Sequence, residues 1–81
     1  MKWFHTERSR KDYQSAPPEI RKAFDIQVRH LVQNRQHPSL RAKKYDEATD
    51  VWQARVSRNW RLYFTIRGGA YIIIAITPHP K

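Results

Sequence analysis

Val51-Trp52-Gln53-Ala54-Arg55-Val56, then Trp60-Arg61-Leu62-Tyr63-Phe64-Thr65-Ile66-Arg67, then Gly68-Gly69-Ala70-Tyr71-Ile72-Ile73-Ile74-Ala75-Ile76-Thr77 is the stretch that decides how this chain folds. The first two runs alternate apolar and polar residues with a period of two and the third is almost wholly apolar, the pattern of three strands in series. Gly68-Gly69 takes up positive φ freely, so the second and third strands are predicted to form a hairpin with a two-residue turn. With Ser57-Arg58-Asn59 as the loop between the first two, Val56 faces Trp60, Ala54 faces Leu62 and Trp52 faces Phe64 on the core side. The same register puts Arg55 opposite Arg61 and Gln53 opposite Tyr63 on the other side. In the third strand Ile72, Ile74 and Ile76 point one way and Tyr71, Ile73 and Ala75 the other. A strand apolar on both faces belongs in the middle of a sheet.

Upstream of this meander the period is helical. Ile20, Phe24, Val28, Leu31 and Val32 recur on one face of a helix that starts at the Pro17-Pro18-Glu19 break and runs to about Arg35, since Pro38 disfavours helix at His37. A shorter helix over about Glu7–Gln14 starts at Thr6 as N-cap, with Glu7 suiting the helix dipole. Trp3 to His5 reads as a first strand, which must pair on the free side of the last one. His37 to Asp50 reads as irregular. The fold expected is α+β, with two N-terminal helices packed on one face of a four-stranded, mainly antiparallel sheet in the chain order β-α-α-β-β-β. The strands lie in the order first, fourth, third, second, and the Arg55/Arg61/Tyr63 face stays partly open.

With 81 residues the chain is read as a single domain over 1–81. A domain this small buries only about 60% of the surface its unfolded chain exposes, so its three Trp, three Phe and four Tyr carry much of the core. The absence of cysteine removes disulfides, Cys-based zinc sites and Cys nucleophiles. The N-terminus has no apolar leader and no run approaches a membrane span, so a cytoplasmic protein without a membrane role is expected.

Sixteen Lys and Arg against seven Asp and Glu give a net charge of +9, which points to an anionic partner. Val51 to Lys81 holds no acidic residue but carries Arg55, Arg58, Arg61, Arg67 and Lys81, and Ile26 to Tyr45 likewise carries Arg29, Arg35, Arg41, Lys43 and Lys44. These cations are not gathered on one amphipathic helix, so nucleic acid fits better than a membrane surface. Arginines directly opposite in a hairpin repel, and a phosphate gripped by both offsets that cost. On this reading, removing Arg61 should leave stability unchanged or slightly raised. The other histidines carry less: His30 reads as structural, His37 as a loop or cap residue, His5 as uninformative, and no pair has metal-ligand spacing.

Pro18-Glu19-Ile20-Arg21, His37-Pro38-Ser39-Leu40-Arg41-Ala42-Lys43-Lys44, Val51-Trp52-Gln53-Ala54-Arg55-Val56, Asn59-Trp60-Arg61-Leu62 and Ile76-Thr77-Pro78-His79 are each short and degenerate. Together, in this order and over essentially the whole chain, they resemble the RelE/ParE toxin superfamily, especially its RelE/HigB-like members. The resemblance implies a RelE-like fold and the toxin of a type II toxin–antitoxin pair, held silent by a cognate antitoxin. It implies a metal-independent endoribonuclease, without cofactor, that cleaves messenger RNA on the ribosome through attack of the RNA 2′-hydroxyl on the adjacent phosphate. Arg55, Arg61 and His79 match the family's catalytic positions, the arginines for phosphate charge and His79 for proton exchange. Arg41, Lys43, Lys44, Gln53, Arg58 and Tyr63 are the expected contacts to messenger and ribosomal RNA. Gln53 stands where such members commonly carry a basic residue, and the chain stops at Lys81 before their terminal tyrosine. Both departures suit a ParE-like inhibitor of DNA gyrase. A basic RNA-binding module without chemistry is a third alternative, against which stands the commitment of Trp52, Trp60 and Phe64 to the core rather than to stacking.

Overall fold

The computed structural model describes residues 1–79, so Lys81 of the basic run lies outside them. The chain forms β1 (Lys2–His5), α1 (Glu7–Ser15), α2 (Pro18–Gln33), a 3-10 turn (Pro38–Leu40), β2 (Lys43–Asp46), β3 (Val51–Ser57), β4 (Trp60–Arg67) and β5 (Ala70–Pro78). Thr6 caps α1 as expected, its hydroxyl accepting from the Ser9 amide at 3.1 Å. α2 ends at Gln33, two residues before the predicted stop, and Asn34 caps it by donating its amide to the His30 carbonyl. Gly68 and Gly69 both have positive φ, 56° and 75°, in the β4–β5 turn.

The strands make one five-stranded sheet in the order β1-β5-β4-β3-β2. β1 runs parallel to β5 and the other pairings are antiparallel. This is the expected order with a strand added at the far edge, so the four-strand count is corrected to five. β2 lies in the segment read as irregular. It is a short edge strand, Lys43-Lys44-Tyr45-Asp46, whose charges give no alternating apolar pattern and discourage pairing with other chains.

Helix α2 lays Ile20, Phe24, Val28 and Leu31 against Ala54, Val56, Leu62 and Phe64 of the sheet, and Leu40 closes the same core. Phe24, Leu31, Leu40, Leu62, Phe64 and Ile73 are wholly buried. The helices therefore cover the predicted core face and leave the other open.

Two bulges depart from the expected register. Arg55↔Arg61, Gln53↔Tyr63, Ala54↔Leu62 and Trp52↔Phe64 pair as read from the sequence, but Ser57 rather than Val56 meets Trp60. Val56 is the extra residue there, and it remains buried. In β5, Tyr63 pairs with Ala75 and Phe64 with Ile73, so Ile74 is the extra residue. Ile72, Ile74 and Ile76 thus do not share a face: Tyr71 and Ile73 face the core before the bulge, Ile76 after it.

Groups from the first turns of the chain satisfy the backbone around this bulge. Thr6 donates its amide to the Ile73 carbonyl and its hydroxyl to that of Ile74, both at 3.0 Å. The Asp12 carboxylate accepts the Ile76 amide at 3.0 Å. Without the extra residue, the parity of Tyr71 and Ile73 would turn Thr77 and His79 toward the helices. With it, Thr77 pairs with Arg61, and His79 follows at the same parity on the open face.

Candidate functional site

The open face of β3 and β4 carries the arginine pair as cross-strand neighbours. The Arg61 guanidinium is anchored: one of its amino groups donates to the carbonyls of Ser57 and Trp60, each at 2.9 Å, and to that of Arg58 at 3.4 Å. Partial burial lowers the Arg61 pKa from its ordinary value, and the charges of Arg55 and Arg41 lower it further. The charge is thus held in a preset position among other cations. The same anchoring alters the expectation for Arg61 removal, since the β3–β4 turn loses these bonds even as the repulsion is relieved.

Arg55 is placed from beneath. Gln27, a nearly buried polar side chain on the core face of α2, donates to the carbonyls of Arg55 at 2.8 Å and Ser39 at 3.1 Å. Its own carbonyl accepts from the Ser39 hydroxyl. One residue therefore ties the helix, the 3-10 turn and the bulged end of β3 together. It was legible in principle, as a polar residue inside the apolar arc of Phe24, Val28 and Leu31.

His79 arrives from the end of β5, where its amide donates to the Asn59 carbonyl at 2.6 Å. Arg41, Lys43, Gln53, Ala54, Arg55, Arg61 and His79 line one surface cavity of about 210 Å³. Among the described residues no carboxylate lies within ion-pair distance of Arg41, Lys43, Arg55 or Arg61. A concave site with four uncompensated cations and an imidazole suits a phosphate group. No cluster of three or more His, Asp or Glu side chains able to hold a metal occurs among the described residues.

The remaining candidates divide. Lys44 is not brought to this site: strand alternation puts it beside Trp52 on the helix-bearing side, its ammonium 4.9 Å from the Trp52 ring centre. There it donates to Asp50, which raises the Lys44 pKa and lowers that of Asp50. Arg58 is exposed in the β3–β4 turn and contributes its carbonyl to Arg61. Tyr63 flanks the cavity beside Gln53, its ring edge-on to Tyr45 at 5.0 Å. Arg41 lines a second, adjoining cavity of about 330 Å³ with Arg35, His37 and Trp52. It does so with left-handed backbone, φ 47° and ψ 42°. His30 and His37 stack at 3.8 Å, and His37 caps the 3-10 turn by accepting from the Ser39 amide.

The fold recurs in solved toxin structures. The YoeB/ParE toxin from Agrobacterium tumefaciens superposes with a TM-score of 0.82 at 16% identity, over 99% of this chain and 100% of that one. The chain has the RelE/ParE toxin fold. The YoeB dimer of Staphylococcus aureus gives 0.81 at 15% identity, over 99% of this chain and 98% of that one. The RelB–RelE antitoxin–toxin complex of Methanococcus jannaschii gives 0.73 at 19% identity, over 93% and 88%. No protein-family model matches the sequence, and no curated protein matches it. Within this RelE-like fold the cationic cavity sits on the sheet face away from the helices. Among the described residues no helix is long and apolar enough to cross a membrane.

Proposed function

We propose that the protein is the toxin of a toxin–antitoxin pair and that it cleaves messenger RNA on the ribosome. The observation that carries this reading is the convergence of Arg41, Lys43, Arg55, Arg61 and His79, drawn from four separate segments, on one cavity of phosphate-binding character. The toxin fold and the antitoxin-bound state of the M. jannaschii RelE support the pairing with an antitoxin.

In this reaction the RNA 2′-oxygen bonds to the adjacent phosphorus and the bond from phosphorus to the 5′-oxygen breaks, leaving a cyclic phosphate and a 5′-hydroxyl. Negative charge grows on the non-bridging oxygens at the pentacovalent stage. Arg61, already oriented by the turn carbonyls, and Arg55 across the hairpin meet that charge without reorganising. Solvent water takes the 2′-hydroxyl proton as that oxygen bonds to phosphorus, and the 5′-oxygen gains a proton as it leaves, from His79, the imidazole at the cavity. Arg41 and Lys43 hold the strand so that the 2′-oxygen, phosphorus and leaving oxygen stay aligned. No metal or cofactor takes part in this scheme.

Primer extension on messenger RNA in a purified translation reaction tests the reading, with a DNA gyrase supercoiling assay beside it. Ribosome-dependent cuts are expected from the wild type. Arg61→Ala should lose on the order of 10²-fold or more in cleavage, and His79→Ala should lose cleavage as well. Intact messenger RNA with inhibited supercoiling would overturn the nuclease and leave the ParE-like activity.

A further inference from the structure

Tyr45 is 62% exposed although it is an aromatic residue in a regular strand, and it has no core to serve. The other aromatics of the β2–β4 region are differently placed. Phe64 is wholly buried, Trp60 packs against the core, and Trp52 is flanked by Arg35 and Lys44. The β2 register shifts between Lys44 and Asp46, which leaves Tyr45 without a cross-strand partner. Its ring instead meets Tyr63 at 5.0 Å and 68°, an edge-on contact that fixes its plane. Tyr63 pairs across the strands with Gln53, which lines the phosphate cavity, and lies two residues along β4 from Arg61, about 7 Å at strand rise.

We infer that Tyr45 is a stacking platform for an unpaired nucleobase next to the phosphate held by Arg55 and Arg61. This deepens the function proposed above and rests on it. An aromatic face braced two residues along β2 from Lys43, which lines the cationic cavity, is the combination that single-stranded nucleic acid rewards: phosphate for the cations, base for the ring. A duplex keeps its bases stacked on one another and offers none to the platform. The site therefore selects single-stranded RNA over duplex.

The test is fluorescence anisotropy with a short 2′-O-methyl RNA strand, which binds without being cut, and an abasic strand of the same length. Tyr45→Ala should weaken binding of the base-bearing strand by roughly 5- to 150-fold, the range of one lost base–aromatic stack, and leave the abasic strand unchanged. Tyr45→Phe should bind like the wild type. Equal loss on both strands, or loss on neither, overturns the platform, as does loss confined to an acidic peptide, which would make Tyr45 a protein contact. Arg61→Ala reports the phosphate site separately, because it should weaken both strands alike. Insensitivity of the abasic strand to Arg61→Ala would sink the phosphate site while the base-bearing strand still reports on Tyr45. A wild type that binds neither strand overturns both.

Discussion

Arg41 offers a way to separate what a residue does for the fold from what it does for the ligand. Its backbone is left-handed, φ 47° and ψ 42°, a conformation that costs a residue with a Cβ roughly 1–2 kcal/mol. Glycine adopts it freely but adds about 0.4–1 kcal/mol of disorder to the unfolded chain. Arg41→Gly should therefore stabilise the protein by about 0.8 kcal/mol, within a span of near zero to about 1.6, a rise in Tm of several degrees for a domain of this size. Arg41→Ala keeps the backbone cost and should melt close to the wild type. Both variants remove a cation that lines the two adjoining cavities, so both should lose the same binding. One phosphate contact fewer on a single strand lowers the slope of log affinity against log salt by about 0.7. Calorimetry gives the first quantity and a salt titration with the 2′-O-methyl strand gives the second. A glycine variant no more stable than the alanine variant would refute the left-handed backbone argument. An unchanged salt slope in both would refute the placement of Arg41 on the nucleic-acid strand.

Gln27→Leu leaves the Ser39 and Arg55 carbonyls without their buried donor, and urea denaturation should show a loss of about 1–3 kcal/mol. His5 stacks on Phe24 and pairs with the wholly buried Ser9 hydroxyl, and desolvation, with the Arg10 charge second, lowers its pKa from 6.5. The unfolded chain then takes up a proton before the folded one does. The contribution of His5 is therefore fully present above pH 6.5 and is lost as pH falls through the lower folded value. Melting curves taken at falling pH should show that loss in the wild type and a flatter response in His5→Gln.

The arginine register was legible because β3 and β4 alternate without interruption over the residues that matter: burying Ala54 and Leu62 forces Arg55 and Arg61 outward together. The Thr6 cap and the Gly68-Gly69 turn were legible because each depends on local chemistry. β2 was not, since four residues with two lysines and an aspartate carry no period. With β2 unseen, nothing separated Lys43 from Lys44, and alternation sends them to opposite faces. Nor was the extra residue at Ile74 visible, because Ile72-Ile73-Ile74 is apolar at every position and a one-residue slip leaves no trace in such a run. Tyr45 shares its strand's lack of a sequence signal.

The β5 bulge has a consequence in time. The groups that hold it stand at opposite ends of the chain, Thr6 and Ile74 being 68 residues apart and Asp12 and Ile76 being 64. Closures of that length come late in folding, after neighbouring hairpins have formed. In a folding chain, β3 and β4 can meet and set Arg55 beside Arg61 before β5 has docked. Nothing turns His79 toward them until β5 has docked and Thr6 and Asp12 hold its extra residue in place. A partly folded chain is then a cationic hairpin lacking its imidazole, and the cavity is complete only once the two ends of the chain have met.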